Sequence, residues 1–282
     1  MFGGVLTGGA LNQPSLRAIA PEPQGAGGTE PEHSTVLGAA RAFGVMLGGS
    51  VALLVGVTAS VSAVLRSLLT GKRPSWPGLA GAGGAVLYGV AFRPWLRRWG
   101  ATDEEARAEL PGDETVASPA TQQTRAVTIE APVGEVWPWL AQIGQDRGGF
   151  YSYEWLEHLA GCRMENADRL HPEWQTRDVG ETVRLHPAGG LEVLQFEPEK
   201  ALVLKGGWYF AMEPDGDSRT RLIARFRMRP GVAAVAYDLL LELPHFIMER
   251  KMLLGIKERA ERSASRRDRH ALVGDLVRAR LV

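Results

Sequence analysis

Cysteine is nearly absent from this chain: among 282 residues only Cys162 is one. An intrachain disulfide and a Cys-rich zinc module are thereby excluded. Net charge is absent too, since 32 Lys+Arg balance 32 Asp+Glu. Such a balance argues against a nucleic-acid binder driven by bulk positive charge. No HExxH, GxSxG or Walker sequence occurs, so those motif-borne routes to metalloproteolysis, elbow-serine hydrolysis and P-loop phosphate binding are missing. What is present is ordinary globular material, 45% hydrophobic and 23% charged. That composition excludes a fully disordered or collagen-like chain.

Charge is missing locally as well. Ala42 to Leu65 runs 24 positions without a charged residue, between Arg41 and Arg66. As a helix it would be about 36 Å long, enough to cross a hydrocarbon core of about 30 Å. A second uncharged run, Pro74 to Phe92, spans 19 residues and is weaker because it is rich in glycine and proline. Gly44 and Gly48 form a GxxxG pair, and Gly78 to Gly84 is a stripe of small residues. The pattern predicts one or two transmembrane helices, packed as a hairpin where both span. Arg66, Lys72 and Arg73 lie between the runs, whereas Arg17, Arg41, Arg93, Arg97, Arg98 and Arg107 flank them. The excess outside the loop places both ends in the cytoplasm, so the expected location is the cell membrane with a cytoplasmic C-terminal domain.

The organisation expected from composition has five parts. Residues 1–35 are Gly-, Pro- and Glu-bearing without periodicity and read as disordered. Residues 36–99 form the membrane region, with helices at about 42–65 and 74–92, and residues 100–123 form an acidic linker. Residues 124–262 form a folded domain, and 263–282 a basic tail.

Within the domain, Arg125–Ala131 alternates as a strand and Val133–Ile143 carries apolar residues at helical spacing. A short helix follows over Tyr153–Ala160. Strands are expected over about Glu181–His186, Leu191–Glu197, Ala201–Lys205 and Trp208–Glu213. The clearest is Thr220–Met228, with Thr220, Leu222, Ala224, Phe226 and Met228 on one face. Arg219, Arg221, Ile223, Arg225 and Arg227 take the other, which reads as a half-buried strand with solvated arginines. Helix resumes after Pro230-Gly231, with a first stretch to Leu243 and a longer one from Pro244 to about Arg262. The fold class is therefore α+β, an antiparallel sheet curved around a long C-terminal helix.

The stretch TRAVTIEAPVGEVWPWLAQIG resembles the opening of the SRPBCC (START-like, helix-grip) superfamily. QIGQDRGGFYSYEWLEHLAGC, NADRLHPEWQ, DVGETVRLHP and the late PHFIMERKMLLGIKERAE resemble its actinobacterial polyketide cyclase/dehydrase and lipid-transport branch. The resemblance implies a helix-grip fold with a cavity for a hydrophobic ligand, and no single reaction.

Asp146, Tyr151, Arg184 and His186 are the candidates for acid–base work if the chain is an enzyme. Asp146 and Tyr151 stand around the Gly148-Gly149 turn, and Arg184 and His186 share a strand face. The bland alternatives are a structural turn and the solvent face of a strand. Candidate ligand-binding residues are Phe150, Tyr151, Tyr153, Trp155, Trp208, Phe210, Leu222, Phe226, His245, Met248 and Met252. Glu154, Glu157, His158 and Cys162 have helical spacing, but no second His/Cys cluster accompanies them, so no metal and no cofactor are expected. The expected partners are a hydrophobic small molecule or lipid and the membrane, with no nucleic acid. The leading reading is a binding domain. A cyclase- or dehydratase-like enzyme and a ligand-free interaction or stress-response protein are the alternatives.

Overall fold

A computed structural model describes residues 32–279. Most of the N-terminal segment expected to be disordered therefore lies outside the described residues, as do 280–282. The described residues begin with a 38-residue helix, α1 (Glu32–Leu69). Within it, Gly48–Leu69 has a mean hydropathy of 1.9 and its most apolar window is unburied. Among the described residues it is the one helix long and apolar enough to cross a membrane. The second apolar run folds as α2 (Trp76–Leu87), begun by Ser75, whose hydroxyl accepts from the Gly78 amide. Its rise is about 18 Å, short of a hydrocarbon core. Only through a π-helical turn (Tyr88–Phe92) and α3 (Arg93–Arg97) does the helical path continue.

Helices α1 and α2 do pack as a hairpin, but not through the GxxxG pair. A Cβ at Gly44 or Gly48 would meet nothing within 4 Å. A Cβ at Gly81 would lie 2.1 Å from Ser60 Oγ, so Gly81 is where the two helices come closest.

The domain contains a six-stranded antiparallel sheet in the order β1-β6-β5-β4-β3-β2. Its strands are β1 (Thr121–Ile129), β2 (Thr182–His186), β3 (Gly189–Glu197), β4 (Ala201–Leu204), β5 (Trp208–Pro214) and β6 (Thr220–Met228). Helices α5 (Val133–Ala141) and α6 (Glu154–Leu159) fall between β1 and β2. After β6 come α7 (Val232–Ala236), a second π-helical turn (Tyr237–Leu241) and the long helix α8 (Glu242–Ala279). The expected break near Arg262 does not occur, and the segment expected as a tail from residue 263 continues α8. The main core lies between the inner face of the curved sheet and helices α5 and α8. Ile129, Val136, Leu140, Leu202, Phe210, Leu222, Leu253 and Ile256 are among its fully buried members.

Both π turns sit just upstream of a proline, Pro94 or Pro244. A proline inside a helix has no N–H to donate and pushes on the carbonyl four residues back. Widening the preceding turn relieves that crowding. At Pro244 the carbonyl four residues back, which receives no N–H from the proline, is Leu240 O. Ser50 Oγ of α1 donates to it at 2.8 Å, so the long apolar helix satisfies an acceptor that the proline exposes.

The outer face of the sheet overturns the expectation for β6. Arg225 is fully buried, not solvated. The segment expected as a linker covers that face: α4 (Asp103–Arg107) and a 3-10 turn (Asp113–Val116) lie across it. Thr102 and Glu105 close a capping box that starts α4. Arg225 Nη1 donates to Asp113 Oδ2 at 2.7 Å and to Ala108 O at 2.8 Å. Arg227 Nε pairs with Asp113 Oδ1 at 3.0 Å. Arg221 pairs with Glu105, and Tyr209 hydrogen-bonds Asp113. Leu110, Ala126, Val203, Tyr209, Ala211 and Ile223 form a small second core beneath this strap.

The end of the hairpin is tied to the start of α8. Arg93 pairs with Asp238 at 2.9 Å and Glu242 at 2.6 Å, and Arg97 pairs with the same two carboxylates. Glu242 is buried, so these contacts are shielded from salt more than surface pairs are.

Candidate functional site

A cavity of about 430 Å³ opens between the inner face of the sheet, α6 and the start of α8. That volume lies within the range of small-molecule sites. Phe150, Met164, Leu185, Leu191, Trp208, Phe226, Leu241, Met248 and Met252 give it a predominantly apolar wall. Its polar members are Ser152, Glu157, Cys162, Tyr237, His245 and Glu249. Alternation explains how the strands contribute: on β5 and β6, Trp208 and Phe226 are register partners facing inward. On the helix, His245, Glu249 and Met252 follow the spacing of one face.

The most developed polar feature is a buried chain. Trp208 Nε1 donates to Glu249 Oε1 at 2.7 Å, and Arg125 Nη1 donates to Glu249 Oε2. Arg125 also donates through Nε to Leu96 O at 2.8 Å and through Nη2 to Gln123 Oε1. His245 Nε2 lies 3.4 Å from Glu249 Oε1, and its Nδ1 is bonded to the Tyr237 hydroxyl. Burial alone would raise the Glu249 carboxyl, but the Arg125 guanidinium, followed by His245, outweighs it and holds Glu249 well below the usual carboxylate range. The imidazole thus bridges the carboxylate on one side, through Nε2, and the phenol on the other, through Nδ1. The Tyr237 hydroxyl also reaches Gln123, donating to Oε1 at 3.3 Å.

Glu157, on α6, is different. Its Oε2 is buried with no hydrogen-bond partner among the described residues. Burial, followed by the neighbouring Glu154, raises its pKa from 4.5 to about 7, against a lowering by His158. In the folded chain it therefore holds its proton to higher pH than in the unfolded chain. Between those two values the native state binds more protons, so stability falls as pH rises from 4.5 through about 7. Melting curves taken across that range should show this decline, and Glu157→Gln should flatten it. An unchanged slope in the variant would remove Glu157 as its source.

Of the residues singled out by sequence, Phe150, Trp208, Phe226, His245, Met248 and Met252 line the cavity together. Phe210 and Leu222 lie in the core beneath it. Trp155 is 65% exposed on α6. Lys251 sits over the ring of Tyr153.

The structure does not gather the four acid–base candidates. Asp146 and Arg184 form an ion pair of 2.8 Å with both side chains about half exposed. His186 Nδ1 accepts from the Ala188 amide at 3.0 Å. Tyr151 is buried with φ of 55° beside the edge of Trp139, with Arg259 over its ring. The Gly148-Gly149 block is a compact turn closed by a bridge between Gly144 and Gly149. A Cβ at Gly149 would lie 2.7 Å from Glu165 O, so the glycine is required there by the close backbone approach.

Sequence reasoning missed Tyr237, Glu249 and Arg125, and weighed Glu157 only as a metal ligand. One signal was available for Arg125. It shares a strand face with Val127 and Ile129, so a charge was bound to point inward there.

No family model and no curated protein matches the chain. Among solved structures it is similar to the Polyketide_cyc-like protein Cgl2372 from Corynebacterium glutamicum, determined by solution NMR. Identity is 18%, over 48% of this chain and 88% of that one, with a TM-score of 0.26. A likeness at that level carries no information about ligand or reaction.

Proposed function

We propose that this chain is a membrane-tethered binding domain, and that its cavity holds a lipid or another hydrophobic small molecule at the cytoplasmic face. The observation that carries this reading is the cavity itself: an apolar chamber of about 430 Å³ with a few placed polar groups. The tether supports it. Helix α1 has the length and hydropathy of a span, and it touches the π turn whose Tyr237 and Leu241 line the cavity. An apolar ligand partitions into the bilayer, and a domain held at the surface shortens its path. The arginine excess flanking the hairpin favours the cytoplasmic side.

The test is native mass spectrometry of the full chain released from its membrane, followed by solvent extraction of whatever accompanies it. A stoichiometric apolar adduct is expected. Met248→Trp, which fills the cavity from α8, should abolish the adduct without lowering yield. A clean mass from the parent chain, unchanged after incubation with a lipid panel, would overturn the reading.

A further inference from the structure

We propose that the cavity selects an apolar molecule carrying a hydroxyl group, an alcohol or phenol, over an ether or a fatty-acid carboxylate of the same chain. The inference rests on the binding role proposed above and names the ligand chemistry.

It follows from accounting for each side-chain donor in the wall. Ser152 Oγ donates to Met248 O at 3.1 Å, and Cys162 Sγ donates to Leu185 O at 3.4 Å. Trp208 Nε1 donates to Glu249. His245 faces the same carboxylate through Nε2 and Tyr237 through Nδ1, and the Tyr237 hydroxyl also donates to Gln123 Oε1 at 3.3 Å. These donors are already engaged inside the protein. With Glu157 ionised, what the wall offers a ligand is acceptors: the Tyr237 oxygen and, above all, the Glu157 carboxylate, which lines the cavity and whose Oε2 has no hydrogen-bond partner among the described residues. A buried acceptor without a donor is costly, and a ligand that brings the donor removes the cost.

The charge balance points the same way. Among the described residues, neither lysine nor arginine lines the cavity. Arg125 stands behind Glu249 and is committed to it. A carboxylate ligand would meet acceptors and negative charge with no cation to receive it. An ether offers only acceptors to a wall of acceptors. A hydroxyl supplies the missing donor and costs no net charge.

The experiment uses the full chain in lipid nanodiscs, above about pH 8, where Glu157 is ionised. Dodecanol, dodecyl methyl ether and dodecanoate are equilibrated separately, and bound ligand is measured as the excess over empty discs. The expected excess at equal free concentration is about ten-fold greater for dodecanol than for the other two, the size of one satisfied buried hydrogen bond. Glu157→Gln adds an amide donor and should admit the ether to near parity. Tyr237→Phe leaves Glu157 in place and should retain part of the preference, and both variants are checked by melting temperature. A dodecanoate excess equal to or above that of dodecanol would overturn the proposal. Equal excess for all three would overturn hydroxyl selection while leaving the cavity a binding site. No excess for any of them would remove the selection and count against the binding role as well.

Discussion

Replacing Glu249 with leucine should lower the melting temperature of the full chain by roughly 10 °C, the equivalent of about 3–5 kcal/mol. The reason is the charge left behind. Arg125 is fully buried, and among the described residues Glu249 is its one carboxylate partner. Without it, the hydrogen bonds left to the guanidinium among the described residues are those to the Leu96 carbonyl and the Gln123 amide oxygen, beside the face of the Phe246 ring. Two neutral acceptors do not offset the desolvation of a full charge. Leucine fills most of the volume, so a cavity contributes little to the loss. The matched control is the double substitution Arg125→Met with Glu249→Leu. Removing both charges should recover most of the stability, because a buried ion pair is close to neutral against an apolar pair of similar size. Recovery should be incomplete, since the Trp208 indole loses its acceptor in either variant. If the double variant is as unstable as the single one, lost packing and not the orphaned charge is the cause.

Asp113→Ala should destabilise by a similar amount, about 3–5 kcal/mol, from the opposite face of the sheet. Asp113 receives Arg225 and Arg227 and hydrogen-bonds the Tyr209 hydroxyl. Arg225 has no exposed surface through which to recover water. The strap around Leu110 would loosen with it, since Asp113 Oδ2 also accepts from the Leu110 amide at 3.1 Å. A comparison pair lies nearby. Arg98 and Asp103 are 2.7 Å apart but more than half exposed, so Asp103→Ala should cost less than about 1 kcal/mol. Denaturant melts of the two variants would separate the cases, and equal, small losses would show that water reaches Arg225.

The strand expected over Thr220–Met228 has the same bounds in the structure, because strict alternation along nine residues is a local property. What alternation cannot say is which polar face meets water. The partners of Arg221 and Arg225, Glu105 and Asp113, lie more than a hundred residues upstream in a stretch that reads as connector. Composition makes a covering strap and a solvated linker look alike. The hairpin shows the same limit. Small residues announced a close helix contact, but its register, Gly81 against Ser60, depends on the turn between the helices and not on the GxxxG spacing. The apolar half of the cavity was visible as aromatic and methionine positions on faces that point inward. Its polar half was not. Glu157 and Glu249 sit in helices where a glutamate every few residues normally marks the wet side. Only the tertiary packing of α6 beside α1 and of α8 against the sheet turns those two inward.

The strap and the hairpin end also decide where this polypeptide can be divided. A fragment beginning at Thr124, where the sheet pattern starts by eye, would discard Asp113 and the carbonyls of Glu105 and Ala108 that hold Arg225. A cut at residue 110 keeps Asp113 but still loses Glu105, which pairs with Arg221, and the Leu96 carbonyl that receives Arg125. The electrostatic interior of the domain thus reaches back into the helix that leaves the hairpin. Severing the sheet domain from the helical hairpin is a core mutation in effect, and any excised piece must start upstream of Arg93 to keep Arg125 and Arg225 with the groups that neutralise them.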